Sequence, residues 1–465
     1  MKDEPLGHSR SLCPVCLKAL PAEIIRRGQD VLLERVCPEH GAYSGLIWRG
    51  EPDFTRWKRP KPADPPPFKE RETNQGCPHD CGRCPEHGQH ACTVLFEITR
   101  RCNLHCPVCF ASAGEEGLDD PGFAPLAHLT GQLHWIREHA GPVVLQLSGG
   151  EPSLYPELPH LVREARTLFP AVQLNSNGLL LAEQPQLAKD LAAAGLSWVF
   201  LQFDGTRDDI YLALRGKALL QSKLRAIENC RAAGLPVVLT PTLARGVNDD
   251  NLGDLLDLAL SFAPAVRGLH LQPMTGSGRN ALAGKSDPLT LPETLQALCA
   301  QSSGRIRPEH ATPPGCEHER CSFHCRYRLG PAGELLPLRG QDEAPCCCAV
   351  PDRATPQNSA GDAEGVKRAI DVILRSWQGP AGQSDPTGQK AAPDAFDAFI
   401  AAASRSFSVT CMAFQDVMTV DLERLRGCCV HVFCPPARLV PFCAFNMTAL
   451  DGRALHRQHK KSAFP

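Results

Sequence analysis

Six short apolar runs, spaced at helix-length intervals between residues 92 and 275, limit the possible folds of this chain more than any other feature. They are TVLFEITR at 93–100, VVLQLSG at 143–149, VQLNSN at 172–177, SWVFLQFDG at 197–205, PVVLTP at 236–241 and GLHLQP at 268–273. Helix-like segments fill the gaps, around 125–139, 156–168, 182–194, 219–233 and 250–260. Strand-length runs alternating with helical intervals build βα units, which pack as a parallel sheet covered by helices. Six units predict an α/β fold with a partial (β/α)6 TIM-like barrel in preference to a closed eight-stranded one. The loops beyond the strand ends then converge on one mouth, where polar residues become candidate ligands.

The first strand runs directly into EITRRCNLHCPVCF, which places Cys102, Cys106 and Cys109 at C-x3-C-x2-C. A cube of four irons and four sulfides takes four external ligands, so three thiolates leave one iron open to a non-protein donor. The amino and carboxylate groups of S-adenosylmethionine fill such a position. One-electron transfer then breaks its carbon–sulfur bond and yields a 5′-deoxyadenosyl radical. The second strand ends in LSGGEP. Gly149 and Gly150 allow close backbone approach to a ligand, Glu151 is a candidate for its ammonium, and Pro152 stiffens the turn. A tight turn leading into a helix, with no ligand, is the plainer alternative. The series G-x-G-x-x-G is absent, which argues against a dinucleotide fingerprint.

Later strand ends supply Asn175, Ser176 and Asn177, then Gln202 and Asp204, then Thr240 and Gln272, all candidates for adenosine or substrate contacts. Asp204 is costly at a strand exit unless paired, and a structural turn carboxylate is its alternative. Arg215 and Lys223 fit either a carboxylate contact or ordinary helix-surface charge.

The chain carries 23 cysteines, an odd number, mostly in tight groups. No apolar leader and no run of 18 apolar residues accompany them. Together these features predict a reducing, cytoplasmic setting over a disulfide-rich exported one. A net charge of -2, from 49 basic and 51 acidic residues, gives no reason to expect nucleic acid as a partner. Cys77, Cys81, Cys84 and Cys92 offer four ligands for a closed auxiliary 4Fe-4S cluster, with structural zinc as the alternative. Cys13, Cys16, Cys37 and His40 suit a mononuclear site for zinc or rubredoxin-like iron. Cys316, Cys321 and Cys325, with Cys346, Cys347 or Cys348 and contributions from Cys429 and Cys443, suggest one further auxiliary cluster, with two separate centres as the alternative. Five regions follow: a metal-binding segment at 1–91, the barrel at 92–275, an auxiliary-cluster region at 276–350, a flexible insertion at 351–395 and a cysteine-containing region at 396–465.

On CNLHCPVCF, LSGGEP, QFDG and HLQPMTGSGR the chain is identified as a member of the radical SAM superfamily. Its CPVC–CPEHG and GCPHDCGRCPEH groups, with RLVPFCAFN, resemble a narrower subfamily of archaeal tetraether lipid synthases and pterin-methylase-like proteins. The resemblance covers 11–350 and, more loosely, 405–447. It implies a radical-generating cluster on Cys102, Cys106 and Cys109, an auxiliary cluster on Cys77, Cys81, Cys84 and Cys92, and a small metal site that includes Cys13, Cys16 and Cys37. The leading expectation is modification of an unactivated C–H bond, with carbon–carbon bond formation on a lipid-like substrate. Radical C-methylation of a pterin-like acceptor is the alternative, and a non-catalytic redox relay or metal-supported binding module is the third reading. The expected partners are a low-potential electron donor such as flavodoxin or ferredoxin, a small-molecule or lipid-like substrate, and peripheral contact with a membrane.

Overall fold

The computed structural model describes residues 3–59, 73–82, 85–114, 122–280, 282, 287–338, 377 and 405–457. Cys84, Cys346, Cys347, Cys348 and all of the expected insertion except Trp377 lie outside the described residues.

An antiparallel sheet comes first, in the order β1 (Glu4–Leu12), β2 (Ala19–Arg27), β3 (Asp30–Cys37) and β4 (Gly41–Arg49). Alternation along ALPAEIIRR buries Leu20, Ala22 and Ile24 and leaves the residues between them exposed, as a half-covered strand requires. The turn between β3 and β4 carries His40, and Gly41 supplies its left-handed φ of 82°.

The predicted barrel follows. Strands β5 (Thr93–Thr99), β7 (Val144–Gly149), β8 (Ala171–Ser176), β9 (Trp198–Gln202), β10 (Val237–Thr240) and β12 (Val266–Pro273) are neighbours in that order, every pair parallel. They are buried almost throughout, because helices cover one face and the barrel interior the other. The outer layer comprises α1 (Leu126–Ala140), α2 (Leu158–Leu168), α3 (Leu179–Glu183), α4 (Pro185–Ala193), α5 (Asp208–Arg215), α6 (Leu220–Ala232), α7 (Leu252–Ser261) and α8 (Leu291–Gln301). The interval expected as one helix at 182–194 is two, since Pro185 cannot donate into a continuous ladder and disfavours a helical residue before it. Helix α5 had no counterpart in the sequence reading. Three two-residue strands complete this part: β6 (Val108–Cys109) pairs antiparallel with β13 (Arg279–Asn280), and β11 (Thr242–Leu243) pairs with β12.

Both open edges of the six-stranded sheet are covered by chain from beyond residue 320. At one edge β16 (Ser406–Met412) lies parallel to β12. Strand β14 (Ser322–Leu329) pairs antiparallel with β16 and with β15 (Leu335–Pro337). At the other edge β17 (Val430–Cys434) lies parallel to β5 and pairs with β18 (Arg438–Pro441). Covering them satisfies backbone groups that an open barrel leaves unpaired. Two short helices, α9 (Leu422–Arg426) and α10 (Phe442–Asn446), flank β17 and β18 in sequence. Among the described residues no helix is long and apolar enough to cross a membrane.

Candidate active site and metal centres

A cavity of about 380 Å³ opens at the C-terminal ends of the barrel strands. Cys102, Cys106 and Cys109, on the loop after β5, line it together with Gly149, Gly150, Glu151, Asn175, Ser176, Asn177, Gln202, Thr240 and Gln272. The structure therefore brings together nearly every strand-end candidate. Asp204 and Pro152 are buried beside the cavity without forming its wall.

The glycines serve the cysteine loop. Gly150 N donates to Thr99 O at 2.8 Å, and Glu151 N donates to Arg101 O at 2.8 Å. A Cβ on Gly149, whose φ is +135°, would sit 2.1 Å from Thr99 O; one on Gly150 would sit 2.3 Å from Arg101 O. No larger residue lets the two loops approach this closely. These two peptide N–H groups are thus bonded to the loop rather than pointed at a ligand. Glu151 is a buried brace: Oε1 accepts from Ser153 N at 3.0 Å, Ser153 Oγ at 2.5 Å and Ser176 Oγ at 2.8 Å, while Oε2 accepts from Asn177 N at 2.6 Å. Asn177 Nδ2 in turn donates to Asn103 Oδ1 at 2.7 Å, inside the cysteine loop. Pro152 begins a short 3-10 turn, Pro152–Leu154.

Asp204 is paired. Arg215 donates to both of its oxygens at 2.7 Å, and also to Val108 O at 3.1 Å and Thr242 Oγ1 at 2.9 Å. Lys223 is fully buried, donating to Asn177 O at 2.5 Å and Gln202 Oε1 at 2.7 Å. Burial pushes its ammonium down to about 8. Neither cation is the surface charge that the sequence left open. Arg279, which the sequence reading did not single out, donates to Cys106 O at 2.7 Å and Ala113 O at 2.8 Å, clamping the loop from the far side of the mouth. The only hint was its place in HLQPMTGSGR.

Burial pushes the Cys102 thiol up to about 12 and raises that of Cys106, the latter against the opposing pull of Arg215. These thiols become thiolates when a metal takes the place of the proton. On the same wall Thr240 Oγ1 is buried with no hydrogen-bond partner among the described residues. Three neighbouring thiols, a mouth with an unsatisfied polar atom and glycines that admit no side chain fit a three-thiolate cluster with a polar organic ligand beside it.

The remaining cysteines sort by space. Cys16 Sγ lies 3.9 Å from Cys37 Sγ, and His40 Nδ1 lies 3.6 Å from Cys13 Sγ and 3.4 Å from Cys37 Sγ. Tetrahedral zinc with Zn–S near 2.3 Å separates its sulfurs by about 3.8 Å, so this set matches a mononuclear centre. Cys92 Sγ lies 3.2 Å from Cys429 Sγ, and both thiols bond to that of Cys316. Their spacing in sequence did not suggest this trio. Arg424 Nε donates to Cys321 Sγ at 3.0 Å, within the electrostatic reach of Cys443 and Cys428. Cys77 and Cys81 bond to each other. Cys325 is buried on β14 with Cys299 and Cys411 as neighbours, and burial pushes it up to about 12, which suits an apolar packing residue. His79 meets Leu17 O at 3.0 Å; His87 meets Cys428 O at 2.8 Å and His431 at 3.1 Å, so these two rings have partners other than thiols.

The chain is similar to several known proteins. Residues 96–259 match the Radical SAM superfamily, and residues 5–49 match the HMPTM N-terminal zinc ribbon domain. A 7,8-dihydro-6-hydroxymethylpterin dimethyltransferase of Methanocaldococcus jannaschii is 29% identical over 98% of this chain and 94% of its own length. A GTP 3′,8-cyclase of Streptomyces coelicolor is 30% identical over 65% of this chain and 91% of its own. Among solved structures, Streptococcus suis SuiB bound to precursor peptide SuiA aligns over 47% of each chain at 14% identity, with a TM-score of 0.40. The first match spans the strands and turns that hold the three loop cysteines, so site and barrel have one explanation: this chain is an enzyme that belongs to the radical SAM superfamily and uses a 4Fe-4S cluster with S-adenosylmethionine.

Proposed function

We propose that this enzyme replaces a C–H hydrogen of a pterin-like ring with a methyl group. A few polar groups set into a largely apolar cavity are the observation that carries this reading. Gln146, Asn175, Gln202, His270, His324 and Arg326 are among its lining residues, beside apolar ones such as Leu104, Phe200, Met274 and Phe414. A flat heterocycle packs its faces on the apolar side chains and hydrogen-bonds its edges to the few polar ones, whereas the pair of lipid tails expected first uses only the former. Likeness to a pterin dimethyltransferase over nearly the whole of both chains supports the same choice.

Cys102, Cys106 and Cys109 would hold the catalytic cluster, and Cys92, Cys316 and Cys429 would belong to an auxiliary centre, the first two of them lining the same cavity. When bound, cluster and S-adenosylmethionine would supply reductive carbon–sulfur cleavage and radical hydrogen abstraction. The protein's part is positional. Arg279 and Asn177 fix the cysteine loop, and the Asp204–Arg215 pair fixes the backbone at Val108 beside Cys109. Thr240, Gln202 and Gln272 present hydrogen-bonding groups to adenosine, and the enclosed mouth keeps water from the radical. A low-potential flavodoxin or ferredoxin would serve as donor, and zinc would occupy the ribbon site in a reducing, cytoplasmic setting.

The test is anaerobic turnover with methyl-labelled S-adenosylmethionine and 6-hydroxymethyl-7,8-dihydropterin. Methylated pterin with formation of 5′-deoxyadenosine is the expected result. Label in the product identifies S-adenosylmethionine as the methyl source, and unlabelled methylated product points to another one-carbon donor. A protein that forms 5′-deoxyadenosine but never alters the pterin would overturn the substrate assignment.

A further inference from the structure

A chain of side-chain amides runs across the barrel interior and ends at the cavity. Gln146 on β7 lies opposite Gln173 on β8, and Gln173 lies opposite Trp198 on β9. Opposed positions on adjacent strands share one face of the sheet, and Asn175, two residues beyond Gln173, shares it too. Trp198 and Gln173 are fully buried, while Gln146 and Asn175 line the cavity. Trp198 Nε1 donates to Gln173 Oε1 at 2.8 Å, Gln173 Nε2 to Asn175 Oδ1 at 2.5 Å, and Asn175 Nδ2 to Gln146 Oε1 at 3.2 Å.

The indole gives this chain its direction. An indole N–H only donates, whereas a carboxamide donates at one end and accepts at the other. Reversing the three amides would set the Gln173 NH2 against the Trp198 N–H, leaving two donors face to face in a dry interior. Gln146 Oε1 is therefore the acceptor for Asn175, and Gln146 Nε2 has no partner among the described residues. The cavity thus meets a neutral donor of fixed polarity, three residues and roughly 10 Å below Gly149 on the same strand. Asn175, expected as an adenosine or substrate contact, is engaged by both neighbours and acts here as a positioning residue.

We infer that Gln146 sets substrate specificity by donating a hydrogen bond to a carbonyl oxygen on the edge of the substrate ring; this rests on the pterin reading above. A ring carbonyl projects beyond the ring and carries two lone pairs, so an N–H on the wall can meet it. In a pterin that atom is the C4 oxygen. Leu95, opposite Gln146 on β5 and also on the cavity wall, is apolar and offers the oxygen no second donor. A ring with an amino group at this position sets donor against donor and leaves both unmet. A hydrocarbon leaves the Gln146 N–H unmet as well. The discrimination originates at Trp198, which does not line the cavity.

The experiment is anaerobic calorimetry on the cluster-loaded protein, with S-adenosylmethionine present and no reductant. The probes are 6-hydroxymethyl-7,8-dihydropterin and 2,4-diamino-6-hydroxymethyl-7,8-dihydropteridine, in which an amino group replaces the C4 oxygen. Wild-type protein is expected to prefer the pterin by about tenfold or more. Gln146→Glu puts an acceptor where the donor was and is expected to reverse the order. Trp198→Phe removes the N–H that sets the direction, frees the amides to turn over, and is expected to narrow the preference toward unity. Iron and acid-labile sulfide are measured in each variant, so that a cluster defect, which would weaken both probes alike, is recognised. Equal binding by wild-type protein, or a pterin preference retained in Gln146→Glu, would overturn the inference and leave the pterin reading intact. An undiminished preference in Trp198→Phe would overturn the origin of the polarity at the indole. Failure of the wild-type protein to bind either probe would overturn the pterin reading itself. Should Gln146→Glu not load its clusters, Gln146→Leu answers the same question, with equal binding expected and an unchanged preference counting against it.

Discussion

Cys106 gathers more of the site around itself than either partner cysteine. Its carbonyl accepts from Arg279, and its thiol lies in the field of Arg215, Asp204 and Cys109. Replacing it with alanine removes one of the three proposed iron ligands without touching the clamp on the backbone. Cys106→Ala is expected to reduce 5′-deoxyadenosine to background in a single-turnover assay while zinc content stays unchanged; undiminished cleavage would remove the assignment. His270 permits a test by pH. Its ring is buried in the barrel, and burial depresses its pKa to about 4. The unfolded chain takes up this proton below about pH 6.5, whereas the folded chain resists until near 4. Stability is therefore full above that upper value and lost as the pH falls, by about 1.4 kcal/mol per unit for one such histidine. Denaturant unfolding of His270→Phe should show a shallower acid slope by that amount, and an identical slope would refute the buried neutral ring.

At the scale of elements, Arg35 is among the buried side chains that dock the zinc-ribbon sheet, with Ser11, whose Oγ donates to Val420 O at 2.6 Å. Arg35 on β3 donates to Leu12 O at 2.9 Å, Leu33 O at 3.2 Å, Met418 O at 3.0 Å and Val417 O at 2.8 Å, so it ties three segments together through their carbonyls. Close contact reinforces the joint, since a Cβ on Gly45 would lie 1.9 Å from Met418 O. Arg35→Leu strands those acceptors and is expected to lower stability by about 1–3 kcal/mol, measured by denaturant unfolding of the zinc-loaded protein. Retained stability would mean that water replaces the guanidinium. The strand pattern of the barrel could be read from apolar runs because both faces of each strand are buried. The break between α3 and α4 was marked by Pro185, but α5 lies in DDIYLALR, too short a run to stand out by periodicity.

Across the whole molecule, residues far apart in sequence complete one sheet and one cavity. β16 and β17 border opposite ends of the barrel sheet, and Cys429 joins Cys92 across 337 residues. A chain ending before residue 405 would leave the edges of β5 and β12 open and remove Cys429 and Cys443. It is expected to aggregate and to bind less iron than the full chain, as sedimentation and iron analysis would show; a soluble, fully loaded truncation would contradict the shared sheet. The sequence by itself determined the six βα units, the loop of Cys102, Cys106 and Cys109, the GGEP turn and the CPVC–CPEH pair, because each depends on neighbours within a few residues and on backbone geometry that spacing encodes. Tertiary structure alone decided that Cys92 meets Cys316 and Cys429, that Arg215 and Lys223 are buried rather than solvated, and that Glu151 braces the turn. Those contacts join strands from distant parts of the chain, and local periodicity carries no information about which sheet edge a distant strand will cover.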